Sequence, residues 1–273
     1  MVMAIRGWSL MTVVVLALLG CGETEREANR MAATAQISAT EWQVLTQKRV
    51  VFGHQSVGQN ILSGIQSLAA QAGVNLPIVK SRTPVASGGI IHFFVGQNED
   101  PSSKLKDFAS TLENGVAQGA DIALVKFCYL DFSGDSDAKQ IAEEYNATLD
   151  RLGQQFPNTT FVAITAPLTV AQTGPKAWVK RLLGRTPSGF ADNARRQEFN
   201  EILRARYGQQ ERLFDLAKIE AEGAGAHEYQ SRPIEVLNPV LTYDDGHLNS
   251  QGEQIVAARL IKFLAALPSR QGG

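Results

Sequence analysis

A serine motif and an Asp-x-x-His motif stand near opposite ends of this 273-residue chain. The first, Gly53-His54-Gln55-Ser56-Val57-Gly58, directly follows the apolar run Val50-Val51-Phe52. The second, Asp244-Asp245-Gly246-His247-Leu248-Asn249, comes about 190 residues later, directly before a helical pattern. A serine hydroxyl is a poor nucleophile until a positioned imidazole takes its proton, and the imidazole needs an acceptor to fix its tautomer. These motifs hold the candidate parts: Ser56 as nucleophile, His247 as general base, and Asp244 or Asp245 as the orienting acid. By itself Ser56 also reads as an ordinary helix N-cap. It lies at the turn into a helix whose first apolar residue is Ile61, and a helix N-terminus offers free N–H groups and a positive dipole end to a developing oxyanion. Gly58 is expected to let the backbone turn tightly there.

Two distant motifs meet only if the intervening elements bring them to one place. Apolar runs alternate with helical patterns. Strands are expected at 49–52, 76–79, 122–125, 161–164 and 213–216. Helices are expected between them, with Ile61, Leu62, Ile65 and Leu68 marking the first, which Gly73 stops. Residues 81–101 read as a long connection holding Gly88-Gly89 and Gly96-Gln97-Asn98. The run 122–125 is apolar throughout, as in a strand buried on both faces. The last helix opens with Ser250 and Glu253, the spacing of a capping box. Such alternation predicts an α/β fold of three αβα layers around a flavodoxin-like, parallel five-stranded sheet. Ligands on such sheets bind at the carboxyl ends of the strands, where strand order reverses. Ser56 follows the first strand and His247 the last strand region, so both are expected on that edge.

With a serine just after the first strand and an Asp-x-x-His just before the last helix, the chain resembles the SGNH/GDSL hydrolases over roughly 47–268. The resemblance implies the α/β fold and a serine-hydrolase activity on esters. It assigns Ser56 as nucleophile, His247 as base and Asp244, three residues before it, as acid; Asp245 then reads as a turn former beside Gly246. Gly53-x-x-Ser56-x-Gly58 departs from the literal Gly-Asp-Ser-Leu signature, which marks a divergent branch. The family's oxyanion hole adds a glycine after its second strand and an asparagine after its third. Here the third strand is followed by Lys126-Phe127-Cys128-Tyr129-Leu130-Asp131, with no asparagine. Asn98 is the candidate replacement amide, and Gly89 or Gly96 the candidate N–H donor.

Other residues carry weaker signals. His54 and His92 read as polar neighbours of the site or as turn residues. No tight ligand spacing such as His-x-x-x-His exists, so no metal or other cofactor is expected. Cys128 reads as a small core hydrophobe. The cluster Lys176, Lys180, Arg181 and Arg185 reads as a solvated face, or else as a lid or dock for an anionic glycan or lipid headgroup.

Residues 1–20 read as a targeting segment, with Arg6 as their only charge and a short apolar core at 13–19. They run into Leu18-Leu19-Gly20-Cys21, which resembles a bacterial lipobox. That implies lipidation at Cys21, a membrane-anchored protein of the bacterial cell envelope, and the outer membrane where the cell has one. Residues 21–40 are polar and read as a flexible tether, leaving 41–273 as the globular domain. The formal net charge is −1, and removal of the leader leaves 25 basic against 27 acidic residues. This balance argues against a nucleic-acid partner. The expected substrate is an ester, with acylated polysaccharide favoured on location alone. The rivals are an O-acyltransferase using the same triad and a noncatalytic glycan-binding lipoprotein; a metal phosphoesterase built from His54, His92, Asp244 and His247 is disfavoured. Oligomeric state is not legible in the sequence.

Overall fold

A computed structural model of the protein describes residues 36–85 and 88–268. The expected leader at 1–20, Cys21 and most of the tether lie outside the described residues. Residues Ile37–Gly273 form a compact unit of their own. Its first element is a helix, α1 (Ala39–Gln47), closed at its start by a Ser38/Glu41 capping box. Trp42 and Leu45 of α1 belong to the core of this unit.

The central sheet has six parallel strands rather than five: β1 (Arg49–His54), β2 (Ile78–Lys80), β3 (Gly89–Phe94), β4 (Ile122–Val125), β5 (Thr160–Ile164) and β6 (Leu213–Phe214). Their spatial order is β2-β3-β1-β4-β5-β6. The five strands from β3 to β6 form the flavodoxin-like set, and β2 is an added edge strand. The expected long connection at 81–101 thus hides a central strand. Ile90-Ile91-His92-Phe93-Phe94 is a strand signal in itself, rich in β-branched and aromatic residues and bounded by glycines; His92 and those glycines made it look like loop. The 213–216 expectation was too long, since Leu216 already begins α7 (Leu216–Ala221).

Helices cover both faces, which makes the three αβα layers expected. On one side lie α1, α2 (Ser56–Gln71) and α8 (Ser250–Ala266); on the other lie α3 (Pro101–Thr111), α4 (Ala138–Gln155) and α6 (Phe190–Tyr207). The second side packs Phe108, Phe127, Tyr145 and Phe199 against Val51, Ala123 and Phe161 of the sheet. Two smaller pieces complete the described fold: α5 (Gly174–Leu182), and an antiparallel hairpin of β7 (His227–Tyr229) and β8 (Arg232–Ile234).

One contact matters most for function. The helix that starts at Ser56 packs directly on the helix that follows His247. At Gly64 of α2 a Cβ would collide with the Glu253 carbonyl of α8, so only glycine allows this approach. Asn60 Nδ2 donates to Glu253 Oε1 at 2.7 Å across the same interface. Glu253 is therefore not half of a capping box. Asn249 caps α8 instead, accepting from Gly252 N at 3.0 Å.

Candidate active site

The sheet reverses its order at β1, which has β3 on one side and β4 on the other. Ser56 lies just past the carboxyl end of β1, at this switch point. It is the first residue of α2, and the N-cap is Gln55, in extended backbone with no side-chain cap bond. The Gln55 side chain reaches sideways, and its Nε2 donates to Val95 O at 2.5 Å and Gly96 O at 3.1 Å. It thereby ties the turn before Ser56 to the loop after β3.

Beneath that turn sits a buried histidine pair. His54 Nδ1 donates to Gln55 O at 2.7 Å, which leaves Nε2 as an acceptor for His92 Nδ1 at 3.0 Å. Both residues are on strands rather than in turns. Gly58 has helical backbone, and its role differs from the tight turn expected of it: a Cβ there would run into the His54 ring. Burial, partly offset by the Gln55 bond and reinforced by His92 and Lys126, holds His54 down to about 3. Burial also lowers His92, with Lys80 adding to the effect. The unfolded chain protonates His54 near 6.5 and the folded chain only near 3, so stability falls as pH drops through that interval. Urea unfolding should show a loss of up to about 2 kcal/mol from His54 between pH 6.5 and 5, so that His54→Gln has the shallower slope and keeps only the part that His92 contributes. Equal pH slopes for the two chains would remove His54 from this role.

The second motif forms a tight turn. Thr242 bridges Leu248, and Thr242 Oγ1 donates to His247 O at 2.6 Å. Within it Asp244 Oδ1 accepts from His247 N at 2.7 Å and Gly246 N at 3.2 Å. Asp244 Oδ2 lies 2.7 Å from His247 Nδ1. A carboxylate acceptor there places the proton on Nδ1 and leaves Nε2 with a lone pair. Nε2 lies 2.9 Å from Ser56 Oγ, so the hydroxyl is its donor. Burial raises Asp244, but bonds from the His247 amide, the His247 ring and the Gly246 amide outweigh it and hold the carboxyl below its ordinary value. Asp245 takes φ of +71° in the turn, and its carbonyl accepts from Val170 N.

Two tyrosines flank the imidazole. Tyr243 stacks on it with rings 13° apart, and Tyr129 meets it edge-on with its hydroxyl 3.4 Å from Nδ1. Burial pushes the Tyr129 hydroxyl up to about 12, so it stays neutral. Arg196, buried in α6, donates to Tyr129 O from Nε at 3.2 Å and Nη2 at 2.8 Å and so fixes this residue. Neither tyrosine stands out in the sequence as part of the site. Tyr243 stood one residue before Asp244, and that adjacency was the available signal.

Gly89, Gly96 and Asn98, expected as oxyanion donors, are engaged elsewhere. Gly89 begins β3 opposite Arg49, at the far edge of the sheet, and its N–H donates to Lys48 O at 2.8 Å. Gly96 does lie beside Gln55, but its N–H donates to Asp107 Oδ2 at 2.8 Å. Asn98 Oδ1 accepts from Lys104 Nζ at 2.9 Å, and no hydrogen bond joins Asn98 to Ser56, His247 or Asp244 among the described residues. Lys104 itself forms a fully buried ion pair with Asp131, which also accepts from Cys128 N and Glu99 N. This network clamps the loop after β3 to the loop after β4. What points to an oxyanion hole is the α2 N-terminus, whose first N–H groups have no partner within the helix.

A depression of about 380 Å³ lies beside Asp244, lined by Tyr129, Leu130, Val170, Arg196, Asp244 and Gly246 among others. A larger cavity, about 670 Å³, lies between α5 and the β7–β8 hairpin and is lined by none of Ser56, Asp244 and His247. Cys128 is buried and unpaired. Among the described residues no three His, Cys, Asp or Glu side chains converge as metal ligands.

No protein-family model matches the sequence. No curated protein sequence matches it either. Comparison with solved structures finds chains with SGNH, G-D-S-L, esterase and acetyltransferase names, all at low identity. One is the esterase EstA from Pseudoalteromonas sp., 10% identical, covering 80% of this chain and 96% of its own, with a TM-score of 0.47. Another is the periplasmic domain of a lipopolysaccharide acetyltransferase from Salmonella ser. Paratyphi A, at 12% identity, 82% and 88% coverage and a TM-score of 0.46. A third, described as a lipolytic protein of the G-D-S-L family, comes from Desulfitobacterium hafniense DCB-2, at 9% identity, 80% and 99% coverage and a TM-score of 0.47. Likenesses at these values bring no chemistry to this chain.

Proposed function

We propose that this chain is a divergent member of the SGNH/GDSL hydrolases, a serine esterase whose triad is Ser56, His247 and Asp244. The observation that carries the reading is the unbroken hydrogen-bond chain from Asp244 through both ring nitrogens of His247 to Ser56. Ser56 Oγ attacks the acyl carbonyl while His247 Nε2 takes its proton, and the electron pair moves onto the carbonyl oxygen. N–H groups at the start of α2 stabilise that oxyanion. The tetrahedral intermediate collapses, His247 returns the proton to the leaving alcohol, and an acyl-enzyme remains on Ser56. Water, deprotonated by His247, releases the acid. Asp244 holds the ring in the Nδ1–H tautomer throughout. The chemistry balances without a metal. Passing the acyl group to a sugar hydroxyl would need the same residues.

The substrate class in this reading is an O-acylated glycan of the cell envelope, reached by a domain anchored through lipidated Cys21. One labelling experiment tests these points. A fluorescent fluorophosphonate added to cells should modify the protein at Ser56, with and without chelator. The labelled band should lie in the membrane fraction and move to the soluble fraction in Cys21→Ser. Labelling at another serine, or loss of labelling with chelator that zinc restores, would overturn the site assignment. A membrane-bound Cys21→Ser chain would overturn the anchor. Product analysis on an acetylated glycan then separates release of free acid from transfer to a second sugar.

A further inference from the structure

Helix α5 is turned inside out. Its one buried residue is Ala177, whereas Trp178, Val179, Leu182 and the C-cap Leu183 are 64%, 47%, 71% and 66% exposed. At about 100° per residue, those four side chains share one sector of about 140°, facing directly away from Ala177. Lys176 and Lys180 border the sector on one flank and Arg181 on the other; Arg185 follows just past the helix end. Residues 172–188 carry four basic and no acidic residues, in a chain whose net charge is −1. The segment is a projection closed at its neck, where Gln172 N donates to Ser188 O at 3.0 Å. The neck also lines the depression that holds Asp244 and Tyr129.

This is not scattered surface hydrophobicity. Among the described residues seven large hydrophobic side chains are strongly exposed, and four belong to this projection. Of the other three, Tyr243 stacks on His247 and Leu130 lines the depression beside Asp244, while Phe94 packs against His54 at the carboxyl end of β3. An apolar patch of this kind marks an interaction surface.

We propose that α5 is an interfacial docking helix for an anionic phospholipid surface, which seats the carboxyl edge of the sheet against the membrane. An apolar sector with a tryptophan, bordered by Lys and Arg whose stems reach along it, suits the boundary between acyl chains and anionic headgroups. The rival occupants fit less of it. An anionic glycan would meet the cations and leave Trp178, Leu182 and Leu183 in water. A second copy would bring four positive charges against four of the same sign. Spanning is not the mode, since no helix among the described residues is long and apolar enough to cross a membrane.

The test uses the chain from residue 21 with Cys21→Ser, which contains the whole compact unit and no lipid. Vesicles of phosphatidylcholine alone, and with about a third phosphatidylglycerol, are floated with this chain, with Trp178→Ser/Leu182→Ser/Leu183→Ser, and with Lys180→Glu/Arg181→Glu. The parent should bind the anionic vesicles. The serine variant should bind both kinds at least about tenfold more weakly. The charge variant should lose at least about tenfold on anionic vesicles only. Hydrolysis of a soluble ester should be unchanged in both, which shows that they fold and keeps this test separate from the triad's. Equal flotation of parent and serine variant overturns the proposal. So does binding to soluble polygalacturonate without binding to vesicles, or a parent dimer that the serine variant converts to monomer.

Discussion

Ser56→Ala, His247→Ala and the double variant should all fall to the same residual rate, on the order of 10⁶ below the parent in kcat. In the proposed triad the nucleophile and its base work as a unit. With Ser56 gone, His247 has no hydroxyl to activate; with His247 gone, the hydroxyl keeps its proton. Each single change therefore removes the covalent route completely, and the second removes nothing more. The 2.9 Å separation between Ser56 Oγ and His247 Nε2 is what ties the two losses together. The assay should use an ester with an alkyl alcohol leaving group, so that spontaneous hydrolysis does not mask the floor. Ser56 is half-buried at the first position of α2 and makes no cap bond that alanine would lose, so circular dichroism and the urea midpoint should stay close to the parent's. Losses that multiply in the double variant would mean two independent contributions rather than one triad. A Ser56→Ala chain with more than about a tenth of parental activity would mean that another group is the nucleophile.

The parts of this site that chemistry restricts to one residue type were legible in the sequence, and the parts that depend on what an amide touches were not. Serine after a first strand and Asp-x-x-His before a last helix are side-chain statements, and both motifs arrive at one edge of the sheet. The oxyanion donors are backbone statements. Gly89 and Gly96 looked available, but their N–H groups are taken by Lys48 O and Asp107, partners that only the folded chain brings near. The strands at 122–125 and 161–164 stood out because both faces of each are buried. Strand β3 did not, because His92 interrupts its apolar run, a buried histidine whose ring bonds that of His54. The same limit applies to α8: Ser250 and Glu253 had the spacing of a cap, yet Glu253 turns to Asn60 of α2 and Asn249 caps the helix.

Asp244→Asn should lower kcat by on the order of 10⁴, while Asp245→Asn should lower it by less than about tenfold. The two residues are neighbours in an exposed turn, and geometry separates them. Asparagine at 244 can keep the oxygen that accepts from His247 N and Gly246 N, so the turn survives. It then presents an NH₂ to His247 Nδ1 where the carboxylate oxygen stood. That donor forces the proton onto Nε2, the nitrogen that must accept from Ser56, and the imidazolium formed in the reaction loses its counter-charge. Asp245 contributes backbone: its φ of +71° suits aspartate and asparagine alike, and its carbonyl still receives Val170 N. The rate of fluorophosphonate labelling should fall in parallel with kcat for Asp244→Asn, because acylation is the step that needs the Nδ1–H tautomer. A larger loss at Asp245 would transfer the acid's role to it. Equal small losses at both positions would leave His247 oriented by something else, and the neutral Tyr129 hydroxyl, 3.4 Å from Nδ1, is the group to remove next.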